Sequence, residues 1–141
     1  MIFWDTSAFL RCYEANQESH PRARNLLLRE KGHTASVLIR IEAVSGVRRR
    51  FGRDRAILTS LLKSIEGPLE RFDLSPIDER VLERGTELVE RHALRAGDAI
   101  HLAAAVLLSK EFGRRQLRFA TVDADQGEAA VAEWLKVILL K

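Results

Sequence analysis

The sequence has one cysteine, Cys12, and no apolar run long enough to cross a membrane. A single cysteine forms no intramolecular disulfide, and without a second cysteine or a nearby histidine pair it does not begin a zinc cluster. The opening residues MIFWDTSAF lack the charged and then apolar regions of a secretory leader. Phosphate-loop and dinucleotide-binding glycine signatures are absent as well. We therefore expect a soluble, cytoplasmic protein with no membrane partner.

The chain does contain enough apolar residues for a substantial core. With 141 residues, of which 46% are hydrophobic, it has the length of one domain, and we expect a single domain over residues 1–141. The net charge is +3, the pI is about 9.4, and arginine dominates the basic residues. This balance fits a polyanionic partner such as nucleic acid, although ordinary basicity explains it equally well.

Hydrophobic periodicity predicts a chain in which strands and helices alternate. Short apolar runs predict five strands, at 1–4, 33–36, 69–74, 117–122 and 137–140. Amphipathic patterns predict seven intervening helices, including one around Glu42 marked by Ile41 and Val44, one at 53–65 closed by Gly67 and Pro68, and one at 126–134. This alternation implies parallel pairing. We therefore expect an α/β fold, a three-layer α/β/α sandwich with a central, mostly parallel five-stranded sheet.

Four separated carboxylates are expected to meet at one edge of this sheet. Asp5 and Asp123 each follow the carboxyl end of a predicted strand, where ligands bind in open α/β sheets. Glu42 and Asp98 lie on helices that can lean over the same edge. Crowded carboxylates raise one another's pKa values unless a cation is present, and oxygen ligands favour Mg²⁺ or Mn²⁺. One or two such ions would activate water for phosphodiester hydrolysis.

Some of these acids, taken alone, also have a structural interpretation, and Glu42 is the hardest to explain in this way. Asp5 is placed to cap a helix, and Asp98 lies in a first helical turn, where a negative charge is favourable. Glu42 lies near a buried edge, where an unpaired carboxylate is costly. Asp125 competes with Asp123 as the fourth acid, but we expect Asp125 to cap a helix beginning near Gln126.

Other polar residues near the four acids have open roles. His101 follows Asp98 by one turn of an apolar helix, and we expect a buried, hydrogen-bonded histidine outside the site. Arginines cluster on and after the helix that carries Glu42, and they indicate either a basic rim for an RNA backbone or a solvated helical hairpin. These arginines are Arg40, Arg48, Arg49, Arg50, Arg53 and Arg55.

Four short motifs occur in order along the chain. They are Asp5-Thr6-Ser7-Ala8-Phe9, Ile39-Arg40-Ile41-Glu42, Arg95-Ala96-Gly97-Asp98-Ala99-Ile100-His101-Leu102-Ala103 and Thr121-Val122-Asp123. In this order they resemble the signature of the PIN-domain nucleases, and within them the VapC-type toxins of type II toxin–antitoxin pairs. The resemblance spans nearly the whole chain, which makes it more specific than any one motif.

This resemblance implies a PIN-like sandwich with Mg²⁺- or Mn²⁺-dependent endoribonuclease activity. It also implies a homodimer and inhibition by a cognate VapB-like antitoxin. Carried over by position, the catalytic and metal-binding acids are Asp5, Glu42, Asp98 and Asp123, the last favoured over Asp125 by its spacing from Thr121. Thr6 or Ser7, and Thr121, are candidate hydroxyls for orienting the carboxylates. The competing hypothesis is a catalytically silent PIN-like module that binds RNA or protein.

Overall fold

In a computed structural model that describes residues 1–141, the chain forms five strands and seven helices. The strands are β1 (Ile2–Trp4), β2 (His33–Ser36), β3 (Asp73–Ser75), β4 (Arg118–Thr121) and β5 (Lys136–Leu139). The helices are α1 (Thr6–Arg11), α2 (His20–Arg29), α3 (Ile39–Phe51), α4 (Arg55–Glu70), α5 (Glu79–Arg91), α6 (Ala96–Phe112) and α7 (Ala124–Ala132). None of these helices has the length and hydropathy needed to span a bilayer.

All five strands pair in parallel, in the order β3-β2-β1-β4-β5. In register, Ile2 of β1 lies opposite His33 on one side and Arg118 on the other. The chain builds the sheet outward from β1 in one direction and then returns to its other side with β4. The strand order therefore reverses between β1 and β4, and a crevice opens at their carboxyl ends.

The side chains of β1 divide the core into two layers. Ile2 and Trp4 are buried on one face with residues from α1 to α4, whereas Phe3 is buried on the other face with residues from α5 to α7. This alternation follows from the two-residue period of a strand. Helices therefore cover both faces, and the predicted three-layer α/β/α sandwich is confirmed.

Helix α4 extends past the residues that were expected to end it. It continues through Gly67 and Pro68 to Glu70, so the strand predicted at 69–74 is reduced to β3. Pro68 has no N–H to donate to the carbonyl of Ser64 four residues earlier. The hydroxyl of Tyr13 donates to that carbonyl instead, at 3.3 Å. A tertiary contact thus satisfies the group that the proline leaves free, and the helix continues.

The inward face of α3 also differs from the one that its apolar spacing suggested. Ile39, Ala43 and Val47 are buried, whereas Ile41 is 73% exposed and Val44 is 46% exposed. Ile41 and Val44 line an open apolar groove beside α4. Helix α3 is therefore rotated about its axis relative to the predicted orientation. Glu42 still lies half-buried at the border of the core, as the sequence predicted.

Candidate metal centre

A cavity of about 660 Å³ opens beside the carboxyl ends of β1 and β4. All four predicted acids line it, namely Asp5, Glu42, Asp98 and Asp123, and so does the alternative Asp125. The strand ends supply Asp5 and Asp123, while α3 and α6 supply Glu42 and Asp98. The structure therefore brings together residues from near both ends of the sequence.

Asp5 is the most enclosed of the four acids, at 3% exposure. Its Oδ1 accepts from the backbone N–H of Ala8 at 2.7 Å, which caps α1. The hydroxyl of Ser7 lies 2.8 Å from both carboxylate oxygens, and that of Thr121 donates to Oδ2 at 2.7 Å. Burial raises the pKa of Asp5, and these hydrogen bonds offset only part of the rise. Asp5 is therefore both a cap and a constrained, buried acid.

Thr121 connects Asp5 to a buried glutamine. Its Oγ1 lies 2.7 Å from Asp5 Oδ2 and 2.9 Å from Gln126 Oε1. One hydroxyl proton serves only one of these two acceptors at a time. Asp5 and Gln126 therefore compete for the single hydroxyl proton of Thr121.

Glu42 has two hydrogen-bonding neighbours in the interior. Its Oε1 accepts from the hydroxyl of Thr6 at 2.8 Å and lies 2.5 Å from Nε2 of His101. Burial raises the pKa of Glu42, but the hydrogen bonds from His101 and Thr6 outweigh it, so the pKa lies below its usual range. The carboxylate of Glu42 is therefore hydrogen-bonded, and the cost of an unpaired carboxylate near the core does not arise.

The prediction for His101 is confirmed in one part and wrong in the other. It is buried and hydrogen-bonded as predicted, at 2% exposure, but it lines the cavity and its partner is one of the four acids. The only signal in the sequence was its spacing of three residues from Asp98, which puts both side chains near one face of α6.

Asp98 lies close to the other acids. Burial, and the nearby carboxylates of Asp123 and Glu42, raise the pKa of Asp98 above its usual range. Its backbone carbonyl accepts from the amide of Gln126 at 3.2 Å, which ties α6 to the start of α7. The fold therefore holds like charges together at a cost, and a bound cation would relieve that cost.

The predicted cap of α7 is wrong. The helix begins at Ala124, and Asp123 rather than Asp125 caps it, accepting from the N–H groups of Asp125 at 2.9 Å and Gln126 at 3.3 Å. Both contacts use Oδ1, which leaves Oδ2 without a protein donor. The strand ends at Thr121, one residue earlier than predicted, and this brings the helix start and its cap forward. Asp123 thus caps α7 with one oxygen and faces the cavity near Asp98.

The donor set of the cavity fits a hard divalent cation. Apart from His101, the ionisable side chains in it that could bind a metal are carboxylates, and no group of three or more acidic, histidine or cysteine side chains is gathered tightly enough to hold an ion by protein ligands alone. Mg²⁺ commonly keeps several waters and binds only one or two carboxylates directly. A cavity of about 660 Å³ has room for such waters.

Some of the predicted arginines form part of the cavity wall, whereas the others lie outside it. Of the six predicted rim residues only Arg49 and Arg50 line the cavity, and Arg50 lies 3.6 Å from Glu14 in an ion pair. Arg95, which was not predicted, completes the wall next to α6. Arg49 and Arg95 form no ion pair and are exposed, so both are free to meet an incoming anion.

The family is decided by a match over nearly the whole chain. The sequence model of the PIN domain matches residues 2–132, a range that includes all four acids. The chain belongs to the PIN domain family. PIN domains are generally divalent-metal-dependent nucleases, which agrees with an oxygen-rich cavity at the end of a parallel sheet.

Solved structures share the PIN fold at low sequence identity. A toxin–antitoxin complex from Klebsiella pneumoniae has a TM-score of 0.65 and 18% identity, covering 100% of this chain and 98% of that one. FitAcB from Neisseria gonorrhoeae has a TM-score of 0.67 and 19% identity, covering 98% and 96%. VapBC2 from Rickettsia felis, bound to a DNA fragment from their promoter, has a TM-score of 0.62 and 12% identity, covering 100% of this chain and 100% of that one. No curated protein matches the sequence.

Proposed function

We propose that this PIN domain, spanning residues 1–141 as one unit, is a toxin-type endoribonuclease that hydrolyses RNA with Mg²⁺ or Mn²⁺. The observation that carries the proposal is the convergence of Asp5, Glu42, Asp98 and Asp123 on one cavity beside β1 and β4. In the proposal these four acids are the catalytic and metal-binding residues. A divalent ion bound among them would polarise the phosphodiester and lower the pKa of an attacking water.

The protein contributes to this chemistry by holding charged groups in place. Ser7, Thr121 and the N–H of Ala8 fix the carboxylate of Asp5, so little reorganisation is needed when substrate arrives. Arg49 and Arg95 flank the acids with unpaired guanidinium groups, which suit phosphate oxygens. We assign them to the RNA backbone on either side of the cleaved bond.

Metal removal tests the proposed activity. We expect the purified chain to cut RNA with Mg²⁺ or Mn²⁺ and to stop in chelator, because a metal-activated water is the nucleophile. Asp5→Asn keeps a capping oxygen for Ala8 but removes the charge, so cleavage should fall at least about 100-fold. Cleavage that persists at the wild-type rate in both chelator and the variant would come from a contaminant and would overturn the proposal.

The two free arginines give a separate prediction about binding. We expect Arg49→Ala with Arg95→Ala to weaken RNA binding and to make the salt dependence of log K shallower by about 1.4, since each phosphate contact on a single strand contributes about 0.7. The matched control is Arg48→Ala with Arg53→Ala, an equal charge change at exposed positions outside the cavity. Fluorescence anisotropy at several salt concentrations measures the slope, and equal slopes for both pairs would contradict the assignment.

Partners form the last part of the proposal. The three structural neighbours are named as toxin–antitoxin or VapBC and FitAcB assemblies, which supports inhibition by a VapB-like antitoxin. A homodimer is proposed from the family resemblance. The open apolar groove beside Ile41 and Val44 is the kind of surface that protein partners cover. The toxin would act in the cytoplasm, where its RNA substrate lies.

A further inference from the structure

The two carboxylate oxygens of Glu42 have different surroundings. Oε1 lies 2.8 Å from the hydroxyl of Thr6 and 2.5 Å from Nε2 of His101, whereas Oε2 has no hydrogen-bond donor. The same carboxylate lines the cavity beside Asp98. One oxygen is thus held by the interior, and the other remains available to a ligand.

His101 meets Glu42 as a donor. An ionised carboxylate only accepts hydrogen bonds, so Nε2 carries the proton in this contact. Nδ1 of the same ring is buried and has no partner. A buried polar atom without a partner destabilises a fold, and an apolar side chain would fill this position in α6 without that cost. Packing alone therefore does not explain a histidine at position 101.

Gly97 supplies the space for the free oxygen. A Cβ at position 97 would lie 3.0 Å from Oε2 of Glu42, closer than ordinary contact. Gly97 directly precedes Asp98 on α6, and His101 follows one turn later. A single helix thus contributes the space beside Oε2, a neighbouring acid and the donor to Oε1.

We propose that His101 and Thr6 are positioning residues that fix Oε1 of Glu42, and that Gly97 leaves room for Oε2 to face the bound divalent ion. This inference rests on the proposed metal site. It assigns Glu42 as a ligand through one oxygen only, with its orientation set by a histidine that does not touch the ion. The hydrogen bond from His101 crosses 59 positions of sequence and joins α6 to α3.

Direct Mn²⁺ binding to the full-length protein without RNA tests the proposal. We expect His101→Leu, which fills the site but donates nothing, to weaken Mn²⁺ binding about 10- to 100-fold. His101→Gln places an N–H at a similar distance along the side chain and should restore most of the affinity. Isothermal titration with Mn²⁺ gives the dissociation constants, and thermal melts show whether each variant is folded.

Two further changes keep the test decisive if a histidine variant fails to fold. Thr6→Val removes the second donor at constant shape and should weaken Mn²⁺ binding, whereas Thr6→Ser should not. Gly97→Ala should weaken Mn²⁺ binding while the melting temperature is unchanged or higher, because alanine favours a helix more than glycine does. A purely structural role predicts that affinity follows the melting temperature instead.

The possible outcomes separate this inference from the proposed function. If wild type binds Mn²⁺ and the leucine, valine and alanine variants bind it equally well, the positioning role is wrong while the metal site stands. If wild type binds no Mn²⁺, both the metal site and the inference are wrong. Loss of affinity in the three variants, with rescue by glutamine and serine, supports the inference.

Discussion

We expect Asp98→Asn to reduce metal-dependent RNA cleavage at least about 100-fold and, at the same time, to raise the melting temperature of the metal-free protein at neutral pH. The two effects have one cause. Burial, with the carboxylates of Asp123 and Glu42 nearby, raises the pKa of Asp98 above 3.8. The ionised side chain that would bind the metal is therefore unfavourable in the empty site, and the amide removes that repulsion.

The sign of the pH dependence follows from the same shift. The unfolded chain loses the Asp98 proton near pH 3.8, whereas the folded protein keeps it to a higher pH. The stability of the metal-free protein therefore falls as pH rises from 3.8 through the raised pKa, and Asp98→Asn should remove part of this fall. Melts with and without Mn²⁺ check both points, since Mn²⁺ should stabilise wild type but not the variant.

Asp73→Asn is the matched control for this experiment, because Asp73 is exposed on β3 and lies outside the cavity. It should change neither cleavage nor the response to Mn²⁺. A lower melting temperature for metal-free Asp98→Asn would show that the neighbouring acids do not destabilise ionised Asp98. Full cleavage activity in that variant would show that Asp98 is not needed for cleavage.

The second large effect distinguishes the two candidate acids on the strand-to-helix turn. We expect Asp123→Asn to lower cleavage at least about 100-fold without lowering the melting temperature of the metal-free protein, since it also removes a charge that repels Asp98. Asparagine caps a helix as well as aspartate does, so α7 keeps its N-cap while the cavity loses a charge. Cleavage rates under single-turnover conditions measure the effect.

Asp125→Asn makes the same chemical change two residues later and should leave cleavage within about twofold of wild type. Asp123 and Asp125 both line the cavity and both are exposed, but only Asp123 is among the carboxylates that raise the pKa of Asp98. If Asp125→Asn is the inactive variant and Asp123→Asn the active one, Asp123 is only a helix cap and the fourth acid has been misassigned.

Much of the fold could be predicted because its signals are local. The short apolar run Ile2-Phe3-Trp4, in a chain where such runs alternate with helical patterns, predicts a strand in a sheet that is covered on both faces. Gly113 likewise predicts the end of α6. The end of α4 was not predictable from local signals. Pro68 predicts the end of a helix, whereas the carbonyl of Ser64 that it leaves free accepts from the hydroxyl of Tyr13, 51 residues away in the sequence.

The candidate site shows the same division. Strand ends and helix turns placed Asp5 and Asp98 at one edge of the sheet, as the sequence suggested. The contact between His101 and Glu42 depends on how α6 packs beside α3, and no pattern within either helix specifies it. Likewise, the sequence presents six arginines near Glu42 without showing that Arg50 pairs with Glu14 while Arg49 stays free.

The most direct test of the central claim is the single-turnover cleavage rate of a labelled RNA as a function of Mn²⁺ concentration. It compares wild type with the quadruple variant Asp5→Asn, Glu42→Gln, Asp98→Asn and Asp123→Asn, purified in parallel. We predict a rate that saturates with Mn²⁺ for wild type, product ends without a 2′,3′-cyclic phosphate because water is the nucleophile, and no Mn²⁺-dependent cleavage by the variant. Equal rates for both proteins, or cyclic phosphate ends, would contradict a metal-dependent nuclease site built from these four acids.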